Sequence, residues 1–157
     1  MASTAFRKID IDAYDEEVLI ESELYDPYPY DPATALSAAK QKQSAVRSSL
    51  SKGDTAGALT AVLEDAPYGP DVEEAKMVTL QTLFNILSST KATDIPPIVK
   101  SLSTDAQDSL MKYIYKGMAM PGWGDVSGSV LLTWHEKLTE VAGTGCIVRV
   151  MTDRKTV

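Results

Sequence analysis

Apolar positions along most of the chain recur at intervals of three and four, the spacing that lines one face of an α-helix. After Asp31-Pro32, a capping residue followed by a proline suited to a first helical position, Leu36, Ala39, Val46 and Leu50 form one stripe. Gln43 is its polar member, and Lys52-Gly53 supplies the stop. Asp54 caps a short helix carrying Ala58, Leu59, Val62 and Leu63, closed by Ala66-Pro67 and Gly69-Pro70. From about Asp71 to Thr90 the apolar band widens. Val72, Ala75, Leu80, Leu83, Phe84 and Leu87 lie on one side, and Met77, Val78 and Ile86 broaden it. A band wider than about 100° implies more than one neighbour, as for a helix inside a bundle. A short helix follows from Asp94 to Ser101, with Pro96 and Pro97 in its first turn. Ser103 or Thr104 caps the next, which runs to Lys116 and is stopped by Gly117. MPGWGDVSG, residues 120–128, reads as a loop. Val126, Val130, Leu131, Trp134, Leu138 and Val141 then mark another helix, ended by Gly143 and Gly145.

Two segments admit more than one reading. CIVRVM, residues 146–151, is β by propensity, but no other run of the body reads as a strand and Thr144 can cap a final helix, so helix is favoured. The helix ending at Lys116 has two apolar faces: Ala106, Leu110, Tyr113 and Ile114 on one, Met111, Tyr115 and Met118 on the other. An ordinary surface helix needs one. The second face is either further core or a surface that another protein buries. No 34-residue motif repeats, so a regular solenoid is not supported. The expectation is an all-α fold, a compact bundle or superhelix of about seven short helices over residues 33–157, preceded by an extended acidic arm, residues 1–32.

The arm is the exception to helical spacing. FRKIDIDAYDEE, residues 6–17, alternates charge with Ile9 and Ile11 as a strand does, yet nothing nearby reads as a strand to pair with it, which suggests a partner. Charge sharpens this picture. Residues 1–32 hold nine carboxylates against two cations, Arg7 and Lys8, while residues 33–157 hold thirteen of each sign. The formal net charge of −7 thus comes entirely from the arm. The arm also holds four of the seven tyrosines, interleaved with Pro27, Pro29 and Pro32, whereas purely solvating acidic tails are poor in aromatics. An acidic balance with no Lys/Arg patch argues against nucleic acid as a partner class. No apolar run reaches the ~18 residues of a membrane span, and the acidic N-terminus does not read as a signal peptide. A single cysteine rules out an internal disulfide and fits a reducing interior, so a cytoplasmic protein is expected.

Candidate chemistry is sparse. His135, the one histidine, lies in WHEK, but Thr139 stands where a HExxH zinc motif needs its second ligand. Cys146 sits among Ile147, Val148 and Val150 and reads as a small core residue. GWGDVSG has neither phosphate-loop spacing nor a preceding strand, and the acids of the arm lack the frame of a calcium loop. The terminal Val157 invites a PDZ-ligand reading, weakened by Lys155 where a hydroxyl is usual. No catalytic, metal or cofactor site is assembled, so a binding or structural component is expected.

Four stretches carry a resemblance: FRKIDIDAYDE at 6–16, LMKYIYKGM at 110–118, LLTWHEKL at 131–138 and GCIVRVMTDRKTV at 145–157. In order and spacing they resemble the smallest subunit, subunit 5, of the actin-related protein 2/3 complex, which nucleates branched actin filaments. The resemblance spans nearly the whole chain and is weakest at residues 18–45. It implies an all-α body with an extended N-terminal segment, and helix for CIVRVM. It also implies no catalysis, a body docked on the β-propeller subunit and subunit 4, an N-terminal segment reaching actin-related protein 2, and actin filaments met through the complex. The run at 25–32 and the loop at 120–124 depart from animal members, pointing to a fungal-type or otherwise divergent one, and contacts there are not carried over. On this basis the arm contacts are Phe6, Arg7, Lys8, Ile9, Asp10, Ile11, Asp12, Tyr14 and Asp15. The body contacts are Lys112, Tyr113, Tyr115 and Lys116 on the motif helix, with Arg149, Arg154 and Lys155 at the end. A free-standing helical adaptor and a small hydrolase built on His135 are the competing classes.

Overall fold

The computed structural model describes residues 23–24, 26–120 and 127–157. The arm contacts from Phe6 to Asp15 lie outside the described residues, as do residues 121–126 of the expected loop. Among the described residues seven α-helices follow one another: α1 (Pro32–Ser51), α2 (Thr55–Leu63), α3 (Glu73–Ser89), α4 (Ile95–Ser101), α5 (Thr104–Ala119), α6 (Gly128–Ala142) and α7 (Thr144–Thr152). Single 3₁₀ turns at Pro70–Val72 and Ala92–Asp94 lead into α3 and α4, and among the described residues there is no strand.

Local capping explains most of these boundaries. Asp31 accepts from the Thr34 amide at 3.1 Å and from its hydroxyl at 2.6 Å, with Pro32 in the first turn. Asp54 accepts from the Gly57 amide at 2.9 Å, and Ser103 from the Ala106 amide at 3.2 Å. Each bond satisfies one of the donors that a helix start leaves without a partner. Beyond the end of α1, Gly53 takes φ +79°, the left-handed conformation that closes a helix at low cost.

α1 packs across α2 and α3, α4 rests on α6, and α5 lies between α6 and α7. One continuous core joins them, with Leu59, Leu83, Ile86, Leu87, Leu110 and Trp134 fully buried. α3 has the broad buried face that its band implies: Ile86 is sealed with Leu83 and Leu87, and Met77 and Val78 are half-buried. Its buried polar groups are satisfied locally, Thr79 and Thr82 by the carbonyls of Ala75 and Val78 at 2.8 and 2.7 Å.

Three expectations change. Gly117 does not stop α5, which runs on to Ala119; the glycine is buried because Phe84 lies where its side chain would be. α3 begins as α-helix at Glu73 rather than Asp71, the intervening turn being 3₁₀. Only Gly143 (φ +76°) breaks the chain between α6 and α7, since Gly145 lies inside α7, and Thr144 is the first residue of α7 rather than its cap. The second face of α5 is largely core: Met111 is fully buried, and Tyr115 and Met118 are half-buried. CIVRVM is helix.

Candidate functional site

After α7 the chain returns as a strap, residues 153–157, across the front of α5 and the turn before α3. Two of the expected body contacts, Lys112 and Lys155, are tied into this return. Lys112 donates to the Asp153 carboxylate and, at 3.3 Å, to the Lys155 carbonyl. The Lys155 amide donates to Asp153 Oδ1 at 3.0 Å, and its ammonium lies 5.1 Å from the centroid of the Tyr68 ring, within cation–π range. Further along, the Gly69 amide donates to the Thr156 carbonyl at 2.9 Å, and Val157 packs on the core. The final valine is thus engaged with its own chain, the opposite of a free strand-adding tail. The Asp153 carboxyl is pushed up by its burial, but bonds from Lys112 and the Lys155 amide outweigh this and hold it below the usual range.

The remaining expected contacts scatter. Tyr113 is buried inside the core, where burial raises its ionisation well above the ordinary value, and among the described residues its hydroxyl has no hydrogen-bond partner. Tyr115 is half-buried, its hydroxyl 3.1 Å from His135 Nε2 and its ring edge-on to the imidazole. Lys116 lies partly buried in the last turn of α5, where a cation suits the helix dipole. Arg149 forms a two-pronged pair with Asp108, Nε to Oδ2 at 2.6 Å and Nη2 to Oδ1 at 2.8 Å. Asp108 in turn faces Cys146, whose thiol is pushed up to about 12 by burial and by that carboxylate. Arg154 is exposed. The motif residues therefore form no single patch, and Lys112, Tyr115, Arg149 and Lys155 have partners within the chain.

Sequence reasoning missed two features. The outer face of α7 carries Val148, 61% exposed, and Met151, 80% exposed, while Cys146 on the opposite face is sealed. Helical spacing from Cys146 puts both residues on the far side, so the pattern was readable once helix was accepted. Leu132 on α6 is also exposed. The second feature is Tyr68, around which the strap and the chain before α1 both gather. An open groove of about 460 Å³ runs beside the strap, lined by Glu64, Asp65, Tyr68, Asp105, Lys112 and Lys155 among others. Its lining is mixed in charge and does not include His135. Among the described residues no three His, Cys, Asp or Glu side chains gather as metal ligands, and no helix is long and apolar enough to cross a membrane.

The family model described as the ARP2/3 complex 16 kDa subunit (p16-Arc) matches residues 5–157. The chain belongs to the p16-Arc family. Actin-related protein 2/3 complex subunit 5-C of Xenopus laevis is 41% identical over 155 residues, covering 99% of this chain and 96% of that protein. Subunit 5 of Saccharomyces cerevisiae is 36% identical over 154 residues, 97% of each. The subunit 5-like protein of Homo sapiens is 36% identical over 155 residues, 99% of this chain and 96% of its own length.

Tyr113→Phe gives a test of the core. A buried hydroxyl without a partner forfeits its hydration, so its removal should raise unfolding stability by about 1 kcal/mol, read as a higher urea midpoint at unchanged slope. Lower stability would mean that the hydroxyl has a partner.

Proposed function

We propose that the chain is a non-catalytic structural subunit of the actin-related protein 2/3 complex, acting in the cytoplasmic actin cytoskeleton to support nucleation of branched filaments. The family match carries this reading, because it runs through residues 5–157 and so takes in both the arm and the body. The relatives from frog, yeast and human are all named as subunits of that complex. The body docks on neighbouring subunits, the β-propeller subunit and subunit 4. Exposed Val148 and Met151 on α7 and Leu132 on α6 are the apolar surface available for it.

The arm tethers actin-related protein 2. Phe6, Ile9, Ile11 and Tyr14 enter apolar pockets while Asp10, Asp12 and Asp15 meet a basic rim, with Arg7 and Lys8 at the start of the motif. Fully extended, residues 1–32 reach at most ~110 Å. A tether of that reach raises the effective concentration of its partner without fixing its geometry, which suits a subunit that changes position during activation. Removing residues 1–16 should reduce both retention of actin-related protein 2 and branching in reconstituted complex. Unchanged retention and branching would defeat the tether.

A further inference from the structure

The strap and the chain leading into α1 meet at one turn. Gly69 is buried there at φ +89°, and three segments converge on it. Its amide donates to the Thr156 carbonyl of the strap, and its carbonyl accepts from Lys76 Nζ at 3.0 Å. That lysine is itself 5% exposed and also pairs with Glu73 at 2.6 Å. On the third side, a Cβ at Gly69 would stand 3.7 Å from the Asp26 carbonyl. Next to it, the Tyr68 ring is shared. Lys155 of the strap approaches the ring, and Tyr28 meets it edge-on with centroids 5.0 Å apart. Tyr28 meets Tyr30 in the same way at 5.6 Å and packs on the small cluster of Ala35, Ala39, Val72 and Ala75. Tyr68 Oη lies 3.5 Å from the Pro27 carbonyl, at the outer limit of a hydrogen bond.

We propose that the strap, residues 153–157, is a clasp that fixes the root of the arm: it seats Tyr68-Gly69, and Tyr68 with Tyr28 holds residues 26–30 against the body. This gives the Tyr- and Pro-rich run a role. Pro27, Pro29 and Pro32 limit the backbone freedom of the root, and the aromatic contacts choose one of its remaining positions. The arm then leaves the body from a fixed point, and its reach is measured from there. Only that use of the clasp rests on the tether reading; the clasp itself is a property of the isolated chain.

The test is backbone amide relaxation of the full chain, free of other subunits. In the intact protein the order parameters of Tyr28 and Tyr30 should match those of helices, ~0.85. Deleting residues 154–157 should lower them below ~0.6 while the amides of α4 and α6 keep their values. Tyr68→Ala, with the strap intact, should do the same and decides the matter if the shortened chain does not fold. Helix-like values at Tyr28 and Tyr30 in the folded variants, or values already below ~0.6 in the intact chain, would overturn the proposal. Since no partner is present, this result is independent of whether the arm retains actin-related protein 2.

Discussion

Trp134→Ala should destabilise the body by about 3–5 kcal/mol, the cost of emptying a large aromatic site that collapses only in part. Trp134 is fully buried on α6, at the meeting of α3, α4 and α6. Its indole Nε1 donates to the Leu87 carbonyl at 3.2 Å. That carbonyl lies in the last turn of α3, where no amide of the helix itself can reach it. The Ile86 carbonyl beside it is served by the hydroxyls of Ser89 and Thr90, so the end of α3 is capped by side chains. Alanine therefore removes packing and leaves a buried acceptor. Trp134→Phe separates the two contributions: it keeps most of the ring and should cost ~1–3 kcal/mol, the penalty of the lost bond. Urea unfolding at constant slope measures both. An alanine variant within 1 kcal/mol of the parent would show that α6 is not packed as described.

Gly117→Val is the second large effect, about 2–3 kcal/mol of destabilisation. A Cβ at this position would stand 2.5 Å from Phe84 Cζ and 3.1 Å from Leu131 Cδ1. Phe84 is 2% exposed and Leu131 3%, so neither can swing into solvent. Replacing a helical glycine ordinarily recovers up to ~1 kcal/mol of backbone entropy, and alanine gains the most. Here the clash outweighs that gain, and valine adds two methyls where one carbon already fails to fit. The expected result is a lower melting temperature with α5 displaced from α3. A variant as stable as the parent would mean that α5 has room to move away from Phe84.

The same glycine shows where the sequence is legible. Helix starts at Asp31, Asp54 and Ser103 are readable because each cap acts on an amide three residues on. Gly117 was not, because a glycine after a lysine fits either a stop or a close approach, and only Phe84 on another helix decides between them. The candidate contacts fail to gather for a related reason. Lys112 and Arg149 are expected to meet another subunit, but the groups they bond within the chain, Asp153 and Asp108, each lie 41 residues away, beyond the range of any local pattern. Tyr68 is a lone aromatic in a turn rich in proline and glycine, and no local pattern marks it as the place where both ends of the described chain meet.

The order of the helices along the chain is nearly the order in which they touch. α1, α2 and α3 pack on one another, and α5, α6 and α7 do likewise, so most buried surface joins elements close in sequence. Short loop closures of this kind favour rapid assembly. The first three helices can begin to bury their shared face while α5 to α7 are still being synthesised; the link from Thr156 to Gly69 has to wait until residue 156 has left the ribosome.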